Sequence, residues 1–180
     1  MDVSEVLQEA CRRGVLVQER AGYRIRHPLL RSAALQLATP GEQRDAHAAL
    51  AAVLPVADRS RVWHLAGSAV GRDPQLADQL ATLAVRDRDR WGFAAAATAL
   101  ERASELTPDP DLARHRLAVA AHDAFQAGEV ARTRGLVARV LAEGVRDRSR
   151  GEVLFTLGML EQYAGGGDAG LAVGRSRPAR

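Results

Sequence analysis

The stretch from Arg26 to Leu50, RHPLLRSAALQLATPGEQRDAHAAL, constrains the fold more than any other part of the chain. Apolar residues recur at helical spacing after Pro28, and proline is tolerated in a first helical turn because its missing N–H would have no partner there. The tetrapeptide TPGE then ends this helix and begins the next, since Thr39 is a capping residue and Glu42 completes a capping box. The sequence therefore predicts helices separated by sharp breaks from here onward.

The segment before this stretch predicts one helix and one β-hairpin. Val3–Arg13 has apolar residues at helical spacing, and Gly14 is a favourable residue just after a helix. Residues 15–19 and 23–26 flank a turn and predict two short strands. A helix, a hairpin and a helix form the second half of a winged-helix domain. Because the helices that cover such a unit do not precede it, we expect residues 1–38 to be a partial winged-helix-like module, cut at its start, with a bare apolar surface.

Helical periodicity with Pro and Gly at the breaks continues to Ala164, so residues 39–164 predict an all-α array of antiparallel helical hairpins. Similar segments begin at Gly92 and Gly128, about 36 residues apart, which is close to the period of about 34 residues in tetratricopeptide repeats. An irregular stack of α-hairpins is the alternative. The residues expected to be buried include Ala46, Leu50, Val53 and Leu54; Leu76, Leu80, Leu83 and Ala84; Leu117, Ala121, Ala124 and Phe125; Leu136, Val137, Val140 and Leu141; and Val153, Leu154, Leu157 and Leu160.

Residues 165–180, GGGDAGLAVGRSRPAR, have no apolar period and are rich in Gly and Arg, so we expect a disordered tail. This tail stands where the second helix of a third repeat would run. A solenoid also normally ends in a polar capping helix. We therefore expect the array to be truncated or frame-shifted at this end.

Three segments, YRIRHPLLRSAALQLATPGEQRDAHAALA, RVWHLAG and FAAAATALERASELTPDP, follow one another along the chain. In this succession the chain resembles the middle of large actinobacterial LuxR-type transcriptional regulators over Val3–Ala164. Those regulators have a STAND-class ATPase domain at the N-terminus and a helix-turn-helix domain at the C-terminus, with a winged-helix-like segment and a tetratricopeptide-like array between them. The resemblance implies a non-catalytic regulatory or sensor segment that contacts a protein partner or a small inducer and restrains the nucleotide switch.

The absence of lysine excludes several kinds of site. A P-loop needs the lysine of GxxxxGK[ST] to reach the nucleotide phosphates, so ATP or ADP could act only through a domain that this chain lacks. Schiff-base chemistry with lysine is excluded for the same reason. Only His115 and His122 approach a shared helix face, without further ligands, so no metal site is predicted. We predict that the chain is not an enzyme and has no cofactor of its own.

His27 is the one candidate binding residue, at the start of a predicted helix in the segment HPLLR. The resemblance implies for His27 the role of a histidine of the STAND class, which contacts the phosphates of bound ADP and holds the closed state. That role would need the missing ATPase domain. The alternative is that His27 only caps the helix.

Charged and aromatic residues give weaker indications. Arginines around the predicted helix and hairpin of residues 1–38 suggest a DNA-binding wing, but acids share the segment, so DNA binding by this chain is not expected. Asp87 and Asp89 alternate with arginines and predict a solvated helix end. Trp63 and Trp91 are expected to anchor the Ala-rich core, with Phe93, rather than to form a ligand cage. The arginines are Arg12, Arg13, Arg20, Arg24 and Arg26, and the acids are Asp2, Glu5, Glu9 and Glu19.

The cellular compartment follows from Cys11 and from the lack of targeting segments. A lone cysteine allows no disulfide framework, which fits a reducing cytoplasm. No apolar run approaches the length of about 20 residues that a membrane span needs, and the N-terminus is unlike a signal peptide. We expect a cytoplasmic protein without membrane contact. The alternative function is a stand-alone tetratricopeptide-like scaffold whose concave face holds a peptide.

Overall fold

A computed structural model describes residues 2–20, 22–142, 144 and 147–173. Over these residues the chain is mostly helical, with one antiparallel β-hairpin, which confirms the prediction of an all-α fold with a hairpin. The elements in chain order are α1 (Val3–Arg12), β1 (Leu16–Glu19), β2 (Gly22–Ile25), α2 (Pro28–Leu37), α3 (Pro40–Val53), α4 (Arg59–Ser68), α5 (Pro74–Arg88), α6 (Phe93–Leu106), α7 (Pro110–Gln126), α8 (Val130–Ala142) and α9 (Arg148–Val173).

Capping residues fix where the helices begin. Thr39 Oγ1 accepts a hydrogen bond from the Glu42 amide at 3.3 Å, and the Glu42 carboxylate accepts one from the Thr39 amide at 2.8 Å. The predicted capping box is therefore present at the start of α3. Asp73 caps α5 and Asp109 caps α7, each ahead of a proline. These side chains satisfy amide groups that have no partner within the helix.

The N-terminal part, residues 2–20 and 22–38, has no fully buried residue. Its hairpin pairs Leu16 with Ile25 and Glu19 with Gly22. Apolar side chains on both helices stay in contact with solvent, among them Leu29 and Leu37, which are 71% and 85% exposed. The described residues of this part therefore have no hydrophobic core of their own.

The hydrophobic core lies in α4–α9 and consists largely of alanine. One cluster joins α5, α6, α7, α8 and α9, another joins α4, α5 and α6, and Trp63 packs against both. Small side chains allow α6 and α7 to approach closely. The many contacts of this close packing compensate for the small apolar area that each alanine buries. The predicted buried residues are confirmed at Leu76, Leu80, Leu83, Ala84, Leu117, Ala121, Ala124, Leu136, Val137, Val140, Val153 and Leu160. The prediction is wrong at Leu154, whose side chain is 45% exposed.

The predicted buried face of α3 is wrong. Leu50 and Val53 are 46% and 78% exposed, whereas Ala51 is buried and His47 is half-buried. The cause lies on α4, where Gly67 leaves room for the imidazole ring: a Cβ at Gly67 would stand 2.7 Å from His47 Cγ. Helix α3 is therefore rotated so that His47 lies on the glycine, with its Nδ1 2.9 Å from His64 Nδ1.

Trp91 does not anchor the core, contrary to the prediction. Its side chain is 84% exposed, and its backbone is left-handed, with φ at +61°. Trp91 occupies the turn after α5, where the Gly92 amide donates a hydrogen bond to the Asp87 carbonyl at 2.9 Å. That turn needs a positive φ, which costs about 1–2 kcal/mol for a residue with a side chain. The turn geometry directs the indole into solvent.

Helix α9 extends beyond the end that the sequence predicts. Residues 165–173 are helical, although a disordered tail was expected from residue 165; residues 174–180 lie outside the described part. Glycine disfavours a helix but, unlike proline, keeps its amide donor and does not clash with the preceding turn. The three consecutive glycines therefore do not terminate α9.

The contact between Gly67 and His47 gives a test of how α3 docks. The substitution Gly67→Ala pushes the His47 ring away, which destabilises the fold, while the higher helix propensity of alanine stabilises α4. We expect the first effect to be larger, so that the free energy of unfolding falls by about 1 kcal/mol in total. The matched control is Gly135→Ala in α8, where a Cβ meets nothing within 4 Å. This control should raise the free energy of unfolding by about 1 kcal/mol. Urea denaturation of both variants measures the difference, and equal stabilisation of both would refute the packing assigned to α3.

Candidate functional site

His27 lies at the start of α2, and its ring caps this helix. The Leu29 amide donates a hydrogen bond to His27 Nδ1 at 3.2 Å, and Pro28 occupies the first helical position. The cap that the sequence left as the alternative is therefore present. His27 also borders an open recess of about 480 Å³. The recess is lined by Tyr23, Arg24, Ile25, Arg26, His27, Pro28 and Arg31.

Several arginines of the N-terminal part are neutralised by nearby acids. Arg13 Nε lies 2.6 Å from the carboxylate of Glu9, which also pairs with Arg12, and these contacts lower the pKa of Glu9. Arg24 Nε lies 2.6 Å from the Glu19 carboxylate. Arg12, Arg13 and Arg24, three of the arginines that suggested a DNA-binding wing, thus have local acidic partners. The expectation that this chain does not bind DNA stays a prediction.

A groove between α7 and α9 offers a second candidate site. It contains a cavity of about 220 Å³, lined mainly by carbon atoms. Its polar side chains are His122 on α7 and Glu152 and Thr156 on α9, and Phe155 stands at its edge with 64% of its surface exposed. An apolar cavity with a few polar groups is typical of a binding site. The cavity is lined by Ala118, Val119, His122, Glu152, Phe155 and Thr156.

The carboxylate of Glu152 has two neighbours in the groove. His115 Nδ1 lies 3.2 Å from the Glu152 carboxylate, and Arg148 Nε donates to the same carboxylate at 2.8 Å. Within the described residues, no three His, Cys, Asp or Glu side chains are grouped so that they could hold a metal ion. His115 and His122, which the sequence places on one face, are not joined by further ligands there.

Buried ion pairs connect the helices of the array and were missed in the sequence. The prediction of a solvated helix end at Asp87 is wrong: this residue is 4% exposed and pairs with Arg59 of α4. Arg88 Nε lies 3.1 Å from the carboxylate of Asp123 on α7, a residue that is 1% exposed. The burial of Asp87 could have been predicted from the spacing, because Asp87 follows the buried Ala84 by three positions and so lies on the same face of α5.

A second ion pair links α5 and α7. Arg116 of α7 is 7% exposed and pairs with Asp78 of α5. Its guanidinium also donates to the hydroxyl of Thr107. These contacts satisfy the donors of a buried guanidinium, whose charge would otherwise be costly to remove from water.

Burial raises the pKa of Asp123 from 3.8 to about 6, and the positive charge of Arg88 only partly counteracts this effect. The carboxyl is neutral below pH 3.8 in both the folded and the unfolded chain. As the pH rises towards 6, the unfolded carboxyl ionises first, so Asp123 lowers the free energy of unfolding over this interval. At neutral pH the carboxylate of Asp123 is ionised, and the positive charge of Arg88 stabilises it.

Comparison with known proteins gives no relative: no protein-family model, curated protein or solved structure matches this chain. Among the helices of the described part, none combines the length and the apolar character needed to cross a bilayer. The candidate sites are therefore defined by their own geometry.

The raised pKa of Asp123 predicts a pH dependence of known sign. We expect Asp123→Asn to gain stability relative to the unchanged chain as the pH rises from about 4 to about 7, by up to about 3 kcal/mol. Asp58→Asn is the control of opposite sign, because hydrogen bonds from Ser60 lower the pKa of Asp58, so its carboxylate stabilises the fold as the pH rises through the range below about pH 4. Chemical denaturation from about pH 2 to about pH 7 measures both, and a flat difference for Asp123→Asn above about pH 4 would contradict the assignment.

Proposed function

We propose that this chain is a non-catalytic regulatory or sensor segment of a LuxR-type, ATP-dependent transcriptional regulator, and that it acts in the cytoplasm by contacting a protein partner or a small inducer. The observation that carries the proposal is the apolar groove between α7 and α9, a cavity with a few polar side chains of the kind that binds a ligand. The three segments that begin at Tyr23, Arg61 and Phe93 resemble the middle of such regulators, and this resemblance supports the assignment to that class of protein.

We propose further that the array is of the tetratricopeptide-like type. Asp73, Asp109 and Asp147 recur at nearly equal intervals, and each accepts hydrogen bonds from amides of the helix that follows, α5, α7 or α9. Equivalent helices therefore begin with the same capping chemistry. Helix α7 also contacts α8 and α9, as one layer of helices does in a stack of hairpins. These regularities favour a repeat over an irregular stack.

His27 has a proposed role only in combination with a nucleotide-binding domain. Its ring lies beside a recess that Arg24, Arg26 and Arg31 also line, and guanidinium groups are suited to phosphate. In this proposal the phosphates of ADP on such a domain reach the recess in the closed state. The capping hydrogen bond from the Leu29 amide holds the ring in position, with Nδ1 as the acceptor. The other ring nitrogen remains for the ligand.

The second candidate function is a stand-alone scaffold that binds a peptide on the same groove. Both functions use the array for recognition, and they differ in the domains that accompany it. A P-loop ATPase encoded upstream or a helix-turn-helix domain encoded downstream is the expected result for the regulator. Sequencing the DNA on either side tests this. If neither domain is encoded in any frame, the scaffold is the better proposal.

A mutation at the edge of the groove tests the site itself. Peptides selected against the whole chain from a random display library should bind about tenfold more weakly to Phe155→Ala, because the exposed ring forms one wall of the cavity. Leu154→Ala is the matched control, since Leu154 is exposed on the same helix but does not line the cavity. Fluorescence anisotropy measures the affinities. Equal binding of all selected peptides to both variants would exclude the groove as the site.

A further inference from the structure

The apolar groove between α7 and α9 extends beyond the cavity described above. Next to this cavity lies an apolar recess of about 390 Å³, which is lined mainly by the same two helices. His122 of the cavity and Phe125 of the recess are in ring contact, with the ring centroids 6.2 Å apart. The cavity and the recess are therefore neighbours along one surface depression, here named the α7–α9 trough.

Aromatic side chains are concentrated along the α7–α9 trough. The whole chain has two Trp, two Tyr and three Phe residues, and Phe125, Phe155 and Tyr163 among them line the trough. The rings of Phe125 and Tyr163 stand 6.0 Å apart between centroids. Tyr163 is 70% exposed, and the Phe155 ring is almost as exposed, so neither ring serves mainly to fill the core. Exposed rings in a depression are suited to contact with a ligand.

Glu152 supplies the negative charge of the trough. Among the described residues that line the trough it is the only acid, and no arginine lines it. Arg148 donates a hydrogen bond to Oε1 of Glu152 at 2.8 Å, but the Arg148 side chain is 86% exposed, so water screens the attraction between the two charges. The faces of the aromatic rings are also electronegative. The trough therefore favours a cation over an anion.

The second carboxylate oxygen of Glu152 has no aligned hydrogen-bond donor. His115 Nδ1 approaches Oε2 at 3.2 Å, yet no group of the described residues donates a hydrogen bond to this shielded oxygen. An acceptor that is kept from water without a donor costs free energy, and a ligand that supplies the donor recovers it. Because Glu152 borders the cavity, a ligand held there can supply this donor once the carboxylate rotates.

We propose that the α7–α9 trough binds a small organic cation, an ammonium ion with an apolar body. The ammonium group donates to the Glu152 carboxylate and lies near the Phe155 ring, while the body extends along the aromatic side chains towards the recess. Volumes of about 220 Å³ and 390 Å³ suit a small molecule better than a protein segment. This inference rests on the proposed function, because it names the chemical class of the small inducer.

Three probes that share one apolar body and differ in one end group test the proposal on the whole chain. They are phenylbutylamine, phenylbutanol and phenylbutanoate, titrated at neutral pH by isothermal titration calorimetry. We expect the amine to bind about tenfold more tightly than the alcohol, because it adds a charge-assisted hydrogen bond to Glu152 and an attraction to the rings. The acid should bind more weakly than the alcohol, because Glu152 repels it.

Variants of the trough separate the role of charge from that of shape. Glu152→Gln keeps the shape of the side chain and should abolish the preference for the amine over the alcohol. This preference is a ratio of two affinities, so a partial loss of folded protein does not change it. Arg148→Gln removes a competing cation and should tighten amine binding about threefold. Phe155→Ala should weaken the amine and the alcohol alike, whereas Leu154→Ala, outside the trough, should change neither.

The proposal is overturned if the amine and the alcohol bind alike, if the acid binds most tightly, or if Glu152→Gln retains the preference for the amine. In these cases the groove still binds an apolar ligand, and the proposed function is unaffected. Failure of all three probes to bind also overturns the inference. The peptides selected from the display library test the groove independently, so failure here is distinguishable from failure of the proposed function.

Discussion

The close approach of the alanine-rich faces of α6 and α7 is the contact on which the rest of the array depends. Ala96, Ala97 and Ala99 on α6 face a set of equally buried alanines on α7, with at most 1% of any of these side chains exposed. An alanine buries little area, so stability here comes from dense packing over many contacts. Any larger side chain at these positions would separate the helices.

The buried ion pairs have a different role from that of the alanine contacts. Burying a carboxylate costs energy that its attraction to a partly exposed guanidinium barely restores, so such pairs contribute little to stability. Removing the arginine, in contrast, leaves an unpaired buried carboxylate. Arg59 with Asp87 and Arg88 with Asp123 thus penalise any arrangement in which α4, α5 and α7 are displaced along their axes. They select one register among the many that featureless alanine surfaces would permit.

Features decided by neighbouring residues in the sequence were predictable, and those decided by distant contacts were not. The capping box of Thr39 follows from local chemistry and stands where expected. The rotation of α3 depends on a glycine in another helix, and the burial of Asp123 depends on Arg88, so neither can be read from periodicity alone. At the candidate sites, the cap formed by His27 was foreseen as an alternative, whereas the groove between α7 and α9 requires two helices that only the fold brings together.

The absence of fully buried residues in residues 2–20 and 22–38 has a consequence for how the chain melts. Without a core of its own, this part adds little to the enthalpy and heat-capacity increase of unfolding, and its amide protons have only local hydrogen bonds for protection. Calorimetry would therefore record mainly the array, with an enthalpy below that of a uniformly packed protein of this length. Hydrogen exchange would show a gradient, with rapid exchange before Thr39 and slow exchange in α6 and α7.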